Sequence, residues 1–118
     1  MSYPIDMWAK AFVETCVIEG AIHALTLRGL ITPWWRLALV SLGLNLSTHP
    51  ALWYVVPRFE PYLAWVAVAE TGVWLVEGAL LTAWLRREDP TWRAAARGFG
   101  ITLLANAVST LYGLLGLG

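Results

Sequence analysis

Residues 66–85 read VAVAETGVWLVEGALLTAWL, and this stretch decides the fold. At about 1.5 Å per residue a helix of this length spans roughly 30 Å, the thickness of a bilayer's hydrocarbon core. The run has no basic residue, yet it holds Glu70 and Glu77. Seven residues apart, they fall on one face of a helix. A charged side chain near the middle of a membrane costs roughly 2.5–3.5 kcal/mol on insertion scales. Two carboxylates kept in such a run imply a membrane protein with a polar centre.

Composition points the same way. Of 118 residues, 58% are apolar and 14% charged, a balance typical of integral membrane proteins rather than soluble domains. The length suits one domain. Net charge is zero, so no basic surface argues for nucleic acid, and none is expected as a partner. Cys16 is the single cysteine, which excludes an intrachain disulfide and a multi-cysteine metal site. The first residues, MSYPIDMWAK, lack the apolar run and small-residue cleavage site of a signal peptide, so no cleaved leader is expected, and no lipidation motif is present.

Working outward, four spans are expected, over residues 7–30, 33–56, 61–85 and 90–117. Thr32–Pro33 and Asp89–Pro90 each read as a capping side chain followed by a first-turn proline. Pro50 lies inside the second span and predicts a kink or break near residues 46–50, freeing the Leu46 carbonyl. Trp8, Trp34, Trp35, Trp53, Tyr54, Tyr62, Trp65, Trp84 and Trp92 fall near span ends, as in two interfacial belts, while Trp74 is mid-span. Arg28, Arg36, Arg86, Arg87, Arg93 and Arg97 flank the first and third loops; Lys10 and Arg58 flank the other side. By the positive-inside rule, loops 28–36 and 86–97 are cytoplasmic and both termini lie outside a plasma or inner membrane.

The chain also repeats itself. Glu19-Gly20-Ala21 precedes Arg28 as Glu77-Gly78-Ala79 precedes Arg86. PWWR at Pro33 answers PTWR at Pro90, and Arg36 stands before Asn45 as Arg97 stands before Asn106. Chance similarity between apolar segments does not account for polar matches. The expected architecture is an all-α membrane protein, a four-transmembrane-helix bundle from two duplicated helical hairpins (residues 7–56 and 61–117) in parallel topology.

Counting depth from the arginine-flanked ends places Glu19, Asn45, Glu77 and Asn106 in one layer. Glu14, His49, Glu70 and Thr110 form a second, outer layer. Polar residues on each span share a stripe, so they face the bundle interior. Glu14 is the exception: it lies about 140° from Glu19, so either a π-bulge rewinds the helix or Glu14 meets another helix or a second subunit. Small residues spaced by four, Ala105, Ser109 and Gly113, and also Gly20 and Ala24, suit close helix packing.

Three readings fit these residues, the first of them a binding core for a small cation, metal or proton. Glu19 and Glu77, oriented by Asn45 and Asn106 and backed by His49, Glu70 and Glu14, suit binding of a small cation or proton for transport or conduction. Glu19 and His23, at i and i+4, can reach one divalent metal ion, with His49 and Glu77 as further ligands. A bis-histidine haem is disfavoured, because His23 and His49 differ in depth by about 13 Å. The second reading is a non-catalytic subunit or assembly factor, in which buried polar pairs set helix register and partner choice. A third is an intramembrane enzyme, in which Ser47 or Ser109 joins His49 and Glu70; Ser47 points away from the His49 stripe, so the enzyme reading is the least favoured. Membrane lipid and a second copy or other membrane proteins are the expected partners.

Overall fold

The computed structural model describes residues 5–55 and 57–116. Four helices, α1 (Ile5–Leu27), α2 (Trp34–Tyr54), α3 (Tyr62–Leu85) and α4 (Trp92–Leu114), form an all-helical bundle, with no strand among the described residues. Each helix packs on its two neighbours in the cycle α1–α2–α3–α4, and the molecule is 43 Å long and 25 by 23 Å across. The expected limits hold to within three residues where they can be compared; those at Val56 and Leu117 lie outside the described residues. One helix, α3, is long and apolar enough to cross a membrane by length and composition. The others carry the charged and polar residues that lower their hydropathy, among them Lys10, Glu14 and Glu19 on α1.

Helix starts depart from expectation in their caps. Pro33 and Pro61 are themselves the N-caps of α2 and α3, with no side-chain cap. At α4 the cap is Thr91 rather than Asp89: its hydroxyl accepts from the Arg93 N–H at 3.3 Å and donates to Asp89 Oδ1 at 2.6 Å. That donated hydrogen bond is the main reason the Asp89 carboxyl sits below its usual pKa range. Gly116, at φ 72°, takes the left-handed conformation that follows the last turn of α4. The expected break at Pro50 does not occur. α2 runs through it to Tyr54, and the Val55 N–H still reaches the Ala51 carbonyl at 2.9 Å.

Apolar and polar side chains share the buried positions. Among the described residues, the largest fully buried side chains are Glu19, His23, Asn45, Glu77 and Thr102 together with Leu27 and Leu81. Outward-facing positions hold Leu25, Leu39, Leu63, Val68, Leu75 and Leu103, all more than half exposed. An apolar cluster of Leu27, Ile31, Leu37, Leu44, Leu81, Leu85 and Ala94 fills the arginine-rich end. The polar residues occupy the middle, and a cavity opens toward the opposite end.

A tight approach of α3 and α4 lies at Gly78 and Gly98, which spacing did not single out. A Cβ on Gly98 would stand 2.3 Å from Thr82 Oγ1 and 2.9 Å from its backbone nitrogen; one on Gly78 would enter the Phe99 ring. Gly113 has open space, and a Cβ on Gly20 would meet only Ser41 Oγ, at an ordinary 3.7 Å. Mid-span Trp74 ties the same seam, donating to the Phe99 carbonyl at 2.7 Å. Gly98→Ala is therefore expected to destabilise the bundle by about 1–3 kcal/mol, the usual cost of overpacking. Gly20→Ala should be neutral or slightly stabilising, since alanine favours the helix. Equal melting points for the two variants would show that the α3–α4 seam is looser than drawn.

Candidate functional site

Each helix contributes one polar stripe, and the stripes meet. Glu77 on α3 is 1% exposed. Its Oε2 accepts from the Thr48 hydroxyl at 2.6 Å and its Oε1 from the Asn106 amide at 3.2 Å. Glu19 on α1, also 1% exposed, accepts from the Ser109 hydroxyl at 2.8 Å through Oε2, while its buried Oε1 has no protein partner. Thr48 and Ser109 each stand three residues after the asparagine of their helix. Each thus donates to the glutamate of the other hairpin, and the two contacts correspond under the sequence repeat. The asparagine amides also correspond: Asn45 Nδ2 donates to the Ser41 carbonyl at 3.1 Å and Asn106 Nδ2 to the Thr102 carbonyl at 2.8 Å.

The two hairpins differ at the asparagine. Asn106 also reaches its own glutamate, whereas Asn45 has the Ser41 carbonyl as its amide's partner. Ser41 in turn meets His23, whose Nδ1 lies 2.7 Å from Ser41 Oγ and whose buried Nε2 has no protein partner.

Glu19, Asn45, Thr48, Glu77, Asn106 and Ser109 all line one cavity of about 230 Å³. His49, Glu70 and Thr110 line the same cavity farther out, and Arg58, Tyr62 and Trp65 stand at its mouth. Thr110 is the hydrogen-bonding partner of Glu70. His49 sits among aromatic rings, with Phe12 at 5.4 Å, Trp53 at 6.1 Å and Trp8 at 6.3 Å between centroids. At the mouth, Arg58 stacks on Trp65 at 4.5 Å, and the Trp65 indole donates to the Pro57 carbonyl at 3.1 Å.

Two expectations change and a third holds. Glu14 is outside the cavity: α1 is a continuous α-helix without a π-bulge, and Glu14 pairs with Lys10 at 3.5 Å on its outer surface. The metal set Glu19, His23, His49 and Glu77 is not assembled, and no group of three His, Cys, Asp or Glu side chains among the described residues is placed to hold an ion. His23 is drawn aside by Ser41 and His49 is boxed by aromatic rings, so their nitrogens do not converge on the carboxylates. Ser47 is exposed and bonded to the Gly43 carbonyl at 2.7 Å, which removes it from any triad with His49 and Glu70.

Sequence reasoning gave Thr48 no role and cast Ser109 as a packing residue or a nucleophile, not as a partner of a glutamate. Their matched positions after Asn45 and Asn106 are the signal that could have shown that partnership. Chemically, the cavity offers the carboxylates of Glu19 and Glu77 and, farther out, Glu70, set among neutral hydroxyl and amide groups, with no ion pair from Lys or Arg to Glu19 or Glu77 among the described residues. Comparison with protein-family models, curated proteins and solved structures finds no match to this chain, so its reading rests on this geometry.

Proposed function

We propose that the chain is an integral membrane protein of four spans, built from two duplicated hairpins, and that its polar core passes a small cation or proton. The observation that carries the reading is the pair Glu19 and Glu77. Both are buried in one cavity without a basic partner, inside a bundle whose outer surface is apolar. Water would not favour that exterior, whereas lipid does. Buried carboxylates without a cationic neighbour are costly unless a proton or cation joins them. The unpartnered Glu19 Oε1 is the open valence at which one can sit.

The matched contacts of Thr48 with Glu77 and Ser109 with Glu19 support the duplication. The arginine distribution supports cytoplasmic loops 28–36 and 86–97. In this orientation the cavity opens outward, and the apolar cluster around Leu27 and Leu81 closes the cytoplasmic side. Passage therefore needs that cluster to part, as in alternating access.

The test is flux. Purified protein in proteoliposomes, under an imposed membrane potential, should move protons or a monovalent cation faster than empty vesicles, read with acid-sensitive and cation-sensitive dyes. Flux equal to that of empty vesicles for every ion would sink the transport reading. The polar layers would then serve as helix-pairing devices of a complex subunit.

A further inference from the structure

A second concavity lies at the other end of the molecule and is unrelated to the carboxylate site. It has a volume of about 1080 Å³ and runs between α2 and α3, from the two arginine-flanked loops down to Ser47. Leu39, Val40 and Leu80 form its walls, and Arg36, Arg87 and Arg97 form its rim. From Arg36 to Ser47 it follows α2 for three turns, about 16 Å. That is half the hydrocarbon thickness, the depth of one leaflet.

We propose, on the membrane reading above, that this groove holds one anionic phospholipid of the cytoplasmic leaflet. Its phosphate sits among Arg36, Arg87 and Arg97, and one acyl chain lies between Leu39, Val40 and Leu80. The rim favours a phosphate in three ways. Arg36 stacks on Trp35 at 5.6 Å and Arg87 on Trp84 at 5.0 Å, which holds both guanidinium groups at interfacial level. Neither forms an ion pair with a carboxylate among the described residues. Arg97 has only a long contact to Asp89, 3.9 Å, and Asp89 is already held by the Thr91 hydroxyl. Glu88 also faces the rim, leaving three cations against two acids. Basic pockets between helices on the cytoplasmic side are suited to anionic headgroups. A soluble anion alone would leave the apolar walls empty.

The other three arginines of this end, Arg28, Arg86 and Arg93, do not line the groove, which supplies the control. The triple variants R36Q/R87Q/R97Q and R28Q/R86Q/R93Q remove the same charge. Each is reconstituted into vesicles of equal phosphatidylglycerol and phosphatidylcholine. Insertion is checked by flotation, and retained lipid is counted by native mass spectrometry after gentle extraction.

The wild type should retain one phosphatidylglycerol in preference to phosphatidylcholine. The groove triple should bind it roughly a hundredfold more weakly, and the control triple within about threefold of wild type. Gly43→Leu gives an independent arm that alters no charge. Gly43 lines the groove and its Cβ position is free of neighbours, so leucine fills the chain's path without straining the bundle. This variant should also lose the lipid. Equal retention by both triples, equal loss by both, retention by Gly43→Leu, or no preference for the anionic lipid would overturn the proposal while leaving the membrane reading intact. Failure of the wild type to float with vesicles would overturn both.

Discussion

Replacing Glu77 with glutamine is expected to reduce flux through the reconstituted protein to the level of empty vesicles while the bundle stays folded. The geometry separates the two effects. Glu77 accepts from Thr48 on one oxygen and from Asn106 on the other. Glutamine keeps the oxygen facing Asn106 and presents an amide to Thr48, whose hydroxyl can rotate and accept it. The fold then loses about 1 kcal/mol or less, the scale of one exchanged hydrogen bond. What disappears is the negative charge, and with it the site's ability to hold a cation or carry a proton. Glu77→Ala is the contrasting change. It strands one amide hydrogen of the buried Asn106, at roughly 1–3 kcal/mol, while the Thr48 hydroxyl turns to the Leu44 carbonyl, and it should lower stability as well as flux. Glu19→Gln should behave like Glu77→Gln. Glu14→Gln should leave flux unchanged, because Glu14 pairs with Lys10 outside the cavity. Wild-type flux in the Glu77→Gln protein would remove the carboxylate pair from the mechanism.

The second large effect concerns the outer surface. Leu75 lies near the middle of α3 and is 51% exposed. In water, Leu75→Lys would be a surface change within about 0.5 kcal/mol of neutral. In a membrane it places a cation close to the bilayer centre, at roughly 2.5–3.5 kcal/mol. The fraction of protein resisting alkaline extraction from membranes should then fall by about one to two orders of magnitude, softened by whatever snorkelling the lysine achieves. A fully inserted, stable Leu75→Lys protein would count against lipid contact at this face.

Much of this arrangement is legible in the chain because one periodicity fixes it. Polar residues recur at helical spacing on each span, so Glu19, Asn45, Glu77 and Asn106 can be brought to one depth by counting alone, and they line one cavity. Features that depend on which helix faces which are not legible in this way. The spacing of Ala105, Ser109 and Gly113 suggested a packing seam; Ala105 is fully buried and Gly113 has open space, while a tight approach that spacing did not suggest lies at Gly78 and Gly98, against Phe99 and Thr82 across α3 and α4. Histidine spacing suggested metal ligation, but a nearby hydroxyl on α2 captures His23. Of the kink or break that Pro50 suggested, the break is absent, since α2 continues through it to Tyr54. Asp89 and Thr91 both offer capping oxygens, and which one serves depends on the backbone path after Pro90.

The most direct test of the central claim, an apolar shell facing lipid around a water-reachable polar core, is single-cysteine labelling. Cys16 is first replaced by serine. Val73→Cys and Thr110→Cys then place a thiol on the cavity wall, and Leu75→Cys and Leu103→Cys place one on the exposed apolar surface. A small, membrane-impermeant thiol reagent is added to the outside of intact vesicles. Fast labelling at positions 73 and 110 with protection at 75 and 103 is the predicted result. The reverse pattern, rapid reaction at the exposed leucine positions and protection within the cavity, is that of a bundle in water and would contradict the account.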